Sequence, residues 1–444
     1  MAQNPFYHRG PVRDPDYFFG REAETEQVAH LLLVSQSVSI VGPRRIGKTS
    51  FLYHLLSEPV RSSFGLTAPG HILALLSAEG LAAATVSEVY AAFLETLAEA
   101  LPAAERPPAA TLDYHGLDQT LKTLCARGCR LALLIDEFEA LAGNPALDPS
   151  FFSGLRGLAT RYTLSFVVAS QRPLISLAFA DRSVLSSPFF NIFATVPLGL
   201  FTAEQSRAMT TALLERGAAA LPEAALEAVA ALAGPHPFFA QLAAYHALEL
   251  ARTLSVWDES ATARLAERFA QEAGPHLQYA WHNLSDDERY TLANLHIDQR
   301  DPGARETLRQ LEEQCLILPT LAGWAYLSAT LRRFVRCQEV PGLLQAGGPF
   351  VIDLNRRLAT AEGIEFALTR TQFDLLAFLA RRGGRVATNR ELEESIWHDQ
   401  YVDDPERIKA AIKHLRRALG PYGACIVNQR GIGYALRPRT ECEP

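Results

Sequence analysis

One segment near the start of the chain carries glycine, lysine and threonine at a spacing that can hold a chain of phosphates. The pattern G-x-x-x-x-G-K-[ST] begins at Gly42 and ends at Thr49. Glycine lets backbone N–H groups close around phosphate oxygens, Lys48 supplies positive charge, and the Thr49 hydroxyl is an oxygen ligand suited to Mg²⁺. The segment therefore predicts binding of a nucleoside triphosphate. The candidate nucleotide-binding residues are Gly42, Pro43, Arg44, Arg45, Ile46, Gly47, Lys48, Thr49 and Ser50.

The stretches on either side of this loop have the patterns that a phosphate loop requires. An apolar run from Val38 to Val41 predicts a strand, and residues from Ser50 to Leu56 predict a helix. In the order strand, loop, helix, the positive N-terminal end of the helix faces the phosphates. A glycine-rich turn beside an exposed lysine is the alternative, and these flanking elements argue against it.

A second apolar run, residues 131–135, ends in the carboxylates Asp136 and Glu137 and resembles a Walker B motif. Asp136 is suited to orient Mg²⁺, and Glu137 is suited to activate water as a general base. A solvated acidic pair at a strand end is the alternative. A third apolar run, residues 164–169, precedes Arg172, which we predict to sense the γ-phosphate; an ordinary loop arginine is the alternative.

The composition is that of a globular chain of several domains. The 444 residues exceed what one hydrophobic core usually serves, and 48% of them are apolar. A net charge of -7 gives no overall attraction to nucleic acid, so any DNA contact must be local. The six cysteines lack C-x-x-C spacing, which predicts free thiols rather than a zinc site. We also find no signal segment and no apolar run of membrane-spanning length, so we expect a cytoplasmic protein without a membrane partner.

The pattern of apolar residues changes along the chain and predicts the fold class. Strands alternate with helices up to about Leu198, a wholly helical stretch opens with a capping box at Thr202, and a stretch of helices and a hairpin follows. Glycines and prolines in 341–349 predict a linker. We therefore expect an α/β P-loop NTPase with a parallel sheet, followed by a helical lid and two winged-helix domains. The predicted domains are an N-terminal arm with the ATPase core at 1–200, the lid at 201–274, and the winged helices at 275–341 and 349–440.

Positive charge is concentrated in one stretch near the C-terminus. Four apolar residues recur there at helical spacing, so one face of the predicted helix is core and the basic residues project from the rest. This layout is typical of a DNA recognition helix, with a solvated basic face as the alternative. The hairpin-like segment that follows could carry Arg430 into a minor groove. The apolar positions are Ile408, Ile412, Leu415 and Leu419, and the basic ones are Arg407, Lys409, Lys413, His414, Arg416 and Arg417.

About ninety C-terminal residues closely resemble the OmpR/PhoB-type winged-helix DNA-binding domain. By that resemblance Arg407, Lys413, His414 and Arg416 would face the major groove and its phosphates. The residues Asn428, Arg430 and Tyr434 would serve the wing. Gln372, Glu406, Ala411 and Ala435 depart from the usual family residues. The matching segments are Leu368–Leu376, Asn389–Leu392, Ile396–Trp397, Ile412–Leu419 and Arg430–Tyr434.

Residues from about 4 to 340 resemble a STAND-class signal-transduction ATPase of the wider AAA+-like group. The resemblance implies a nucleotide switch that is closed with ADP and open and oligomeric with ATP. It also implies that Phe19, Gly20 and Arg21 lie near the adenine and that Pro237, at the start of a lid helix, contacts the nucleotide. The matching segments are Asn4–Phe6, Gly10–Arg13, Phe18–Glu22, the phosphate loop, Asp136–Glu137, Ser170–Arg172 and Gly234–Pro237.

Together these features predict an ATP-dependent DNA-binding regulator of transcription, with slow ATP hydrolysis acting as a switch. The expected cofactors are ATP or ADP and Mg²⁺. The expected partners are double-stranded DNA, further copies of the chain, and the transcription machinery or a signal protein. An ATPase loader for replication or transposition remains an alternative. So does a defence or stress sensor that uses winged helices for protein contacts. Whether the first winged helix touches DNA is left open.

Overall fold

The chain forms two compact units. One contains Met1–Phe269 with Glu313–Cys315, and the other contains Ala270–Glu312 with Leu316–Pro444. Ala322 of the predicted hairpin, Gly347 and Gly348 of the predicted linker, and Cys442 lie outside the part of the chain that the structure describes. The computed structural model describes residues 4–6, 10–107, 111–175, 188–298, 302–321, 323–346, 349–397 and 405–437.

The first unit is built on a five-stranded sheet in the order β2-β3-β4-β1-β5. Every neighbouring pair is parallel. Val41 pairs with Ser170, and Ser77 pairs with Asp136, so the carboxyl ends of the strands meet at one edge. That edge is where ligands bind in open α/β sheets. The strands are β1 (Ser37–Val41), β2 (His71–Ser77), β3 (Arg130–Asp136), β4 (Leu164–Ser170) and β5 (Phe193–Pro197).

Helices cover both faces of this sheet, which explains why its strands are continuous apolar runs. Leu133 and Ile135 of β3 join one hydrophobic layer, and Ala132 and Leu134 join the opposite layer. All four residues are buried. The helices are α1 (Glu22–Leu33), α2 (Lys48–Leu56), α3 (Glu58–Phe64), α4 (Val86–Glu99), α5 (Tyr114–Ala126), α6 (Glu139–Ala142) and α7 (Pro149–Arg161).

A helical stretch follows the sheet, as the sequence predicts. Thr202 and Gln205 form a capping box that starts its first helix. Pro237 occupies the first turn of a later helix, where its missing N–H removes no intrahelical bond. None of the helices in the described ranges is both long and apolar enough to cross a membrane. The lid helices are α8 (Ala203–Arg216), α9 (Glu223–Ala233) and α10 (Pro237–Ala251), and α11 (Glu259–His282) comes next.

The first winged helix lies in the second unit, which begins at Ala270. Ser285 and Glu288 form the capping box that opens its first helix. The two hairpin strands pair antiparallel, with Ile317 opposite Tyr326. The elements are α12 (Asp286–Ala293), α13 (Leu295–Asp298), α14 (Arg305–Glu313), β6 (Ile317–Thr320), β7 (Gly323–Tyr326) and α15 (Ala329–Arg336).

In its described residues the C-terminal domain has two antiparallel sheets and three α-helices. One sheet has the order β11-β10-β9-β8 and the other β12-β14-β13. The predicted loop at 341–349 contains strand β8, which pairs with β9, so this stretch is not the simple loop expected from its glycines and prolines. The elements are β8 (Leu343–Ala346), β9 (Phe350–Asp353), β10 (Leu358–Ala361), β11 (Ile364–Glu365), α16 (Arg370–Arg381), β12 (Ala387–Thr388), α17 (Asn389–Trp397), α18 (Pro405–Ala418), β13 (Ile426–Gln429) and β14 (Gly433–Leu436).

Candidate nucleotide-binding and DNA-binding sites

The phosphate loop connects β1 to α2, and two of its glycines are required by geometry. A Cβ on Gly42 would lie 2.5 Å from the carbonyl oxygen of Leu198, which is closer than real atoms approach. Gly47 has φ 108° and caps α2. Only glycine adopts that backbone without strain. The helix begins at Lys48, two residues earlier than the sequence predicts.

The Lys48 ammonium points back into the loop. It donates to the carbonyl oxygens of Gly42 at 2.7 Å and Pro43 at 3.1 Å. Burial lowers the pKa of Lys48, and the nearby carboxylate of Glu139 opposes that shift. Phosphate oxygens would compete with the two carbonyls as acceptors for this cation. The loop therefore presents a partly desolvated positive charge where a phosphate chain would lie.

Thr49 and Asp136 are brought together from elements far apart in sequence. The Thr49 hydroxyl donates to Asp136 Oδ2 at 2.6 Å. The other carboxylate oxygen, Oδ1, accepts the backbone N–H of Glu137 at 3.0 Å. Hydroxyl and carboxylate oxygens are the ligands that Mg²⁺ prefers, so this pair would fit a magnesium ion that accompanies a nucleoside triphosphate. Such an ion would neutralise phosphate charge, while Thr49 and Asp136 would hold its place.

Glu137 has a backbone conformation that is unusual for its residue type. Its φ of 53° lies in the left-handed region, which only glycine adopts freely. Desolvation raises the pKa of Glu137, and the carboxylates of Glu79 and Asp136 add to the shift. A higher pKa makes a carboxylate a better proton acceptor. Strained backbone of this kind is common at functional sites, which is consistent with the predicted general base.

Glu139 is a residue that the sequence reasoning missed. Its carboxylate accepts the backbone N–H of Gln171, and so it ties the start of α6 to the segment after β4. In the same segment the Ser170 hydroxyl donates to the carbonyl oxygen of Arg172 at 2.8 Å. The predicted sensor, Arg172, is exposed. The only signal for Glu139 was a third acidic residue just after Asp136 and Glu137.

The lid reaches the phosphate loop through α10. The Arg45 guanidinium lies 5.2 Å from the ring centroid of Phe238, one residue after Pro237. His236, the N-cap of this helix, is buried, and its ring lies 4.7 Å from that of Phe239. Pro237 therefore directly precedes Phe238, the lid residue that contacts the phosphate loop. Its contact with nucleotide stays a prediction.

The segment Phe19-Gly20-Arg21 packs where the chain leaves β5. A Cβ on Gly20 would lie 3.0 Å from the Phe201 ring, and the Arg21 guanidinium lies 4.7 Å from the same ring. Arg21 is buried and donates to the Gly199 carbonyl at 2.5 Å. Burial lowers the pKa of Arg21. These contacts give Arg21 a packing role, and its predicted place near adenine stays a prediction.

The N-terminal arm lies against α2. Ser50 was predicted to contact nucleotide, but its hydroxyl accepts the backbone N–H of Val12 at 2.9 Å. Phe18 stacks on His54 with ring centroids 4.1 Å apart. Burial lowers the pKa of His54, which favours the neutral ring. The arm is thus held beside the helix that starts at the phosphate loop.

The predicted recognition helix, α18, has the two faces that the sequence predicts. Its apolar positions join the core of the C-terminal domain, and four of its basic side chains are exposed. A cationic exposed face is the electrostatic requirement for binding a phosphate backbone. The buried residues are Ile408, Ile412, Leu415 and, just after the helix, Leu419, and the exposed basic residues are Lys409, Lys413, His414 and Arg417.

Three of the predicted DNA contacts are held within the domain. Arg416 donates from Nε and Nη2 to the carbonyl oxygen of Ile426, at 3.2 and 2.6 Å. Tyr434 is buried in the core. The Arg407 guanidinium stacks over the Trp397 ring at 4.4 Å. In the wing, Asn428 and Arg430 are exposed. The structure therefore leaves Lys413, His414, Asn428 and Arg430 as the more accessible predicted contacts.

We expect Glu391→Gln to destabilise the C-terminal domain at neutral pH, with a difference from wild type that shrinks as the pH falls. The Arg382 guanidinium, with the Thr388 backbone N–H, lowers the pKa of Glu391 to about 2 from 4.5. A lowered pKa contributes stability that is present above pH 4.5 and is lost as pH falls toward 2. Because both side chains are partly exposed, we expect a loss of at most about 1 kcal/mol at pH 7. Thermal unfolding at pH 7 and pH 3 would check this, and an equal difference between variant and wild type at both pH values would contradict it.

Comparisons with known proteins agree with this architecture. Residues 27–296, more than half of the chain, match the family described as Novel STAND NTPase 2, and residues 363–436 match the C-terminal domain of transcriptional regulatory proteins. The sensory transduction protein RegX3 of Mycolicibacterium smegmatis is 35% identical over 118 residues, which cover 25% of this chain and 51% of that protein. RegX3 of Mycobacterium leprae is 34% identical over 98 residues, 21% of this chain and 49% of that protein. The chain thus spans about half the length of these curated relatives.

Two solved structures share the P-loop ATPase fold of this chain. A Walker-type ATPase of Pyrococcus abyssi superposes with a TM-score of 0.53 at 15% identity, over 75% of this chain and 99% of that one. The ORC2 protein of Aeropyrum pernix, in its ADPNP-ADP complexes, gives a TM-score of 0.50 at 14% identity, over 75% and 96%. At these identities the likeness concerns the fold alone. With the family match over residues 27–296, the chain belongs to the Novel STAND NTPase 2 family and carries a C-terminal DNA-binding domain of the OmpR/PhoB type.

Proposed function

We propose that this protein is an ATP-dependent DNA-binding regulator of transcription. In this proposal the nucleotide at the phosphate loop controls both self-association and binding of double-stranded DNA. The observation that carries it is the exposed basic face of α18, with Lys413 at its centre, in a chain that also has a complete phosphate loop. An NTPase core gives such a DNA-binding domain a means of control.

The geometry at the sheet edge supports ATP and ADP with Mg²⁺ as ligands. Lys48 would bind phosphate oxygens, and Thr49 with Asp136 would hold the metal. Glu137 would accept a proton from an attacking water, and Arg172 would interact with the γ-phosphate. We propose that hydrolysis is slow, because a switch depends on the lifetime of each state rather than on turnover.

Coupling between the two sites requires only that ATP bind one conformation better than another. A single winged helix that contacts a few phosphates binds DNA weakly at physiological salt. Assembly of several copies would raise the effective concentration of neighbouring DNA-binding domains. ATP-driven oligomerisation would therefore supply affinity as well as control. The proposal includes a cytoplasmic location and contact with the transcription machinery or a signal protein.

The experiment that tests this function is selection of DNA from a random-sequence pool by the full-length protein. It is run with an ATP analogue, with ADP and without nucleotide, and the particle mass is measured each time. We expect an enriched site, and we expect the ATP analogue to change both the affinity and the mass. DNA binding that is absent, or identical in all three states, would contradict the proposal and favour a sensor whose winged helices contact proteins.

We expect Lys413→Ala to weaken DNA binding and to reduce its salt dependence. Lys413 is exposed on α18, so it can release about one counterion from DNA. Its loss should lower the slope of log affinity against log salt by about 0.9. Lys122→Ala, at an exposed lysine of α5, is the matched control. An unchanged slope for Lys413→Ala would place the DNA contact elsewhere.

A further inference from the structure

A buried carboxylate joins the two winged-helix segments of the second unit. Asp353 ends β9 of the C-terminal domain and is fully buried. Its Oδ2 atom accepts a hydrogen bond from the Tyr290 hydroxyl at 2.5 Å and another from Asn294 Nδ2 at 3.2 Å. Tyr290 lies in α12 and Asn294 caps that helix, so both donors belong to the first winged helix. The carboxylate therefore forms bonds across the boundary between the two segments.

The second carboxylate oxygen of Asp353, Oδ1, holds the turn that follows β9. Oδ1 accepts the backbone N–H groups of Asn355 and Arg356, each at 2.9 Å. Arg356 Nε lies 4.0 Å from Oδ2, and the Arg356 guanidinium lies 5.6 Å from the Tyr290 ring centroid. A buried carboxylate is tolerated only when its oxygens are well partnered. Both Oδ2 hydrogen bonds come from the first winged helix, so this partnering depends on the two segments staying together. We call Asp353, Tyr290, Asn294 and Arg356 the Asp353 cluster.

Two further contacts accompany the cluster. A Cβ on Gly363, in the turn between β10 and β11, would lie 3.4 Å from His296 Nδ1 in α13. Gly342 accepts the backbone N–H of Leu354 at 2.8 Å through its carbonyl oxygen. Strand β8 begins directly after Gly342, so the connection between the two winged helices joins the C-terminal sheet at Leu343. The described part of the connection is therefore bonded to one edge of β9 and to Leu354, the residue that follows this strand.

The charge of the first winged helix differs from that of the second. Helix α14 precedes the hairpin β6–β7 as α18 precedes β13–β14, yet positive charge is not concentrated on it. Glu306 pairs with Arg309 at 2.8 Å. Glu312 accepts the Trp324 indole N–H at 3.1 Å. The charged residues of α14 are Arg305, Glu306, Arg309, Glu312 and Glu313, whereas α18 has Glu406 against Arg407, Lys409, Lys413, Arg416 and Arg417.

We propose that the first winged helix is an internal docking surface that holds the C-terminal DNA-binding domain in one orientation through the Asp353 cluster. The two segments then move as one body. A displacement of the first winged helix therefore displaces α18 as well, because the Asp353 cluster couples their motions. This inference goes beyond the proposed function, since it holds whether or not nucleotide controls DNA binding.

The test is hydrogen exchange of the full-length double variant Tyr290→Phe with Asn294→Ala, followed by mass spectrometry. The change removes both donors from the first winged helix and leaves the two Oδ1 bonds of Asp353 in place. Loss of both hydrogen bonds to the buried Asp353 carboxylate should open the interface, so we expect amides in 343–357 to exchange about 10-fold faster or more. Tyr279→Phe, at an exposed tyrosine of α11, is the matched control. Wild-type exchange in the strands of the first unit shows that the rest of the chain is folded.

Two results would overturn the inference. Exchange in 343–357 that stays within about twofold of wild type would mean that the cluster does not hold the segments together. Faster exchange spread equally over 370–437 would mean that these residues support the fold of the domain and not its orientation. The single variant Tyr290→Phe, which removes one hydroxyl, should show a smaller change in the same peptides. None of these outcomes requires DNA or nucleotide, so a failure of the proposed function is recognised separately.

Discussion

Replacing Lys48 with alanine is expected to abolish nucleotide binding at micromolar concentrations. The ammonium is partly buried and already bonds to two loop carbonyls, so it is positioned to bind phosphate oxygens without reorganisation of the chain. Removing one partner of a desolvated charge pair costs about 2–5 kcal/mol or more, which is roughly 30-fold to several thousand-fold in affinity. Isothermal titration of the full-length protein with ATP and Mg²⁺ measures this loss directly.

The matched control is Lys122→Ala, which removes an exposed lysine of α5 and should leave ATP affinity unchanged. Circular dichroism and thermal unfolding of Lys48→Ala would show whether the loop folds without the ammonium. The two carbonyls that Lys48 satisfies are those of Gly42 and Pro43, so a small loss of stability is expected. Unchanged ATP affinity in a folded Lys48→Ala protein would remove the central prediction for this site.

Glu137→Gln is expected to retain ATP binding while lowering hydrolysis by about 10²- to 10⁴-fold, the usual contribution of a general base. The substitution keeps the size of the side chain and removes its ability to accept a proton. Asp136 and Thr49 are untouched, so metal binding should persist. Single-turnover hydrolysis measured beside ATP affinity separates the two effects.

Glu95→Gln, at an exposed glutamate of α4, is the control for this change of charge. If Glu137→Gln hydrolyses ATP at the normal rate, the base must be reassigned. Glu79 and Glu139 would then be tested, since the carboxylates of both influence the pKa of Glu137. If instead the variant loses ATP affinity, the role of Glu137 is in binding.

The phosphate loop was predictable because its geometry is local. Gly42 and Gly47 are needed for the backbone of eight consecutive residues, and Lys48 and Thr49 follow directly. The acidic pair after β3 was predictable for a similar reason, since a fully buried strand is a continuous apolar run. The predicted core face of α18 is also confirmed, because helical spacing alone separates its buried positions from its exposed ones.

Hydrogen bonds and burial that depend on residues distant in sequence could not be predicted from local patterns. The family resemblance predicts that Arg416 faces the major groove, and only the structure shows that its guanidinium bonds to the carbonyl of Ile426 on the neighbouring strand. Tyr434 matches the wing of the family but is buried. Glu139 gave almost no signal, because its partner is a backbone N–H after another strand.

The predicted linker at 341–349 is a second feature that depends on distant partners, here through backbone hydrogen bonds. Glycines and prolines around β8 favour a loop, and local preference is all that a single sequence displays. Pairing with β9 supplies a ladder of hydrogen bonds that outweighs this preference. The predicted domain boundaries stay predictions, and the strand at Leu343–Ala346 shows where the C-terminal sheet begins.

By itself the sequence determined the phosphate loop, the apolar strands with their terminal carboxylates, and the two faces of the recognition helix. Each of these depends on residues a few positions apart, whose spacing is set by the period of a strand, a turn or a helix. Only the tertiary structure decided that Thr49 bonds to Asp136, that Arg416 is held within its domain, and that Asp353 joins the two winged helices. Those bonds form between residues up to 87 positions apart, and burial, which no local pattern encodes, decides which polar atoms must find partners there.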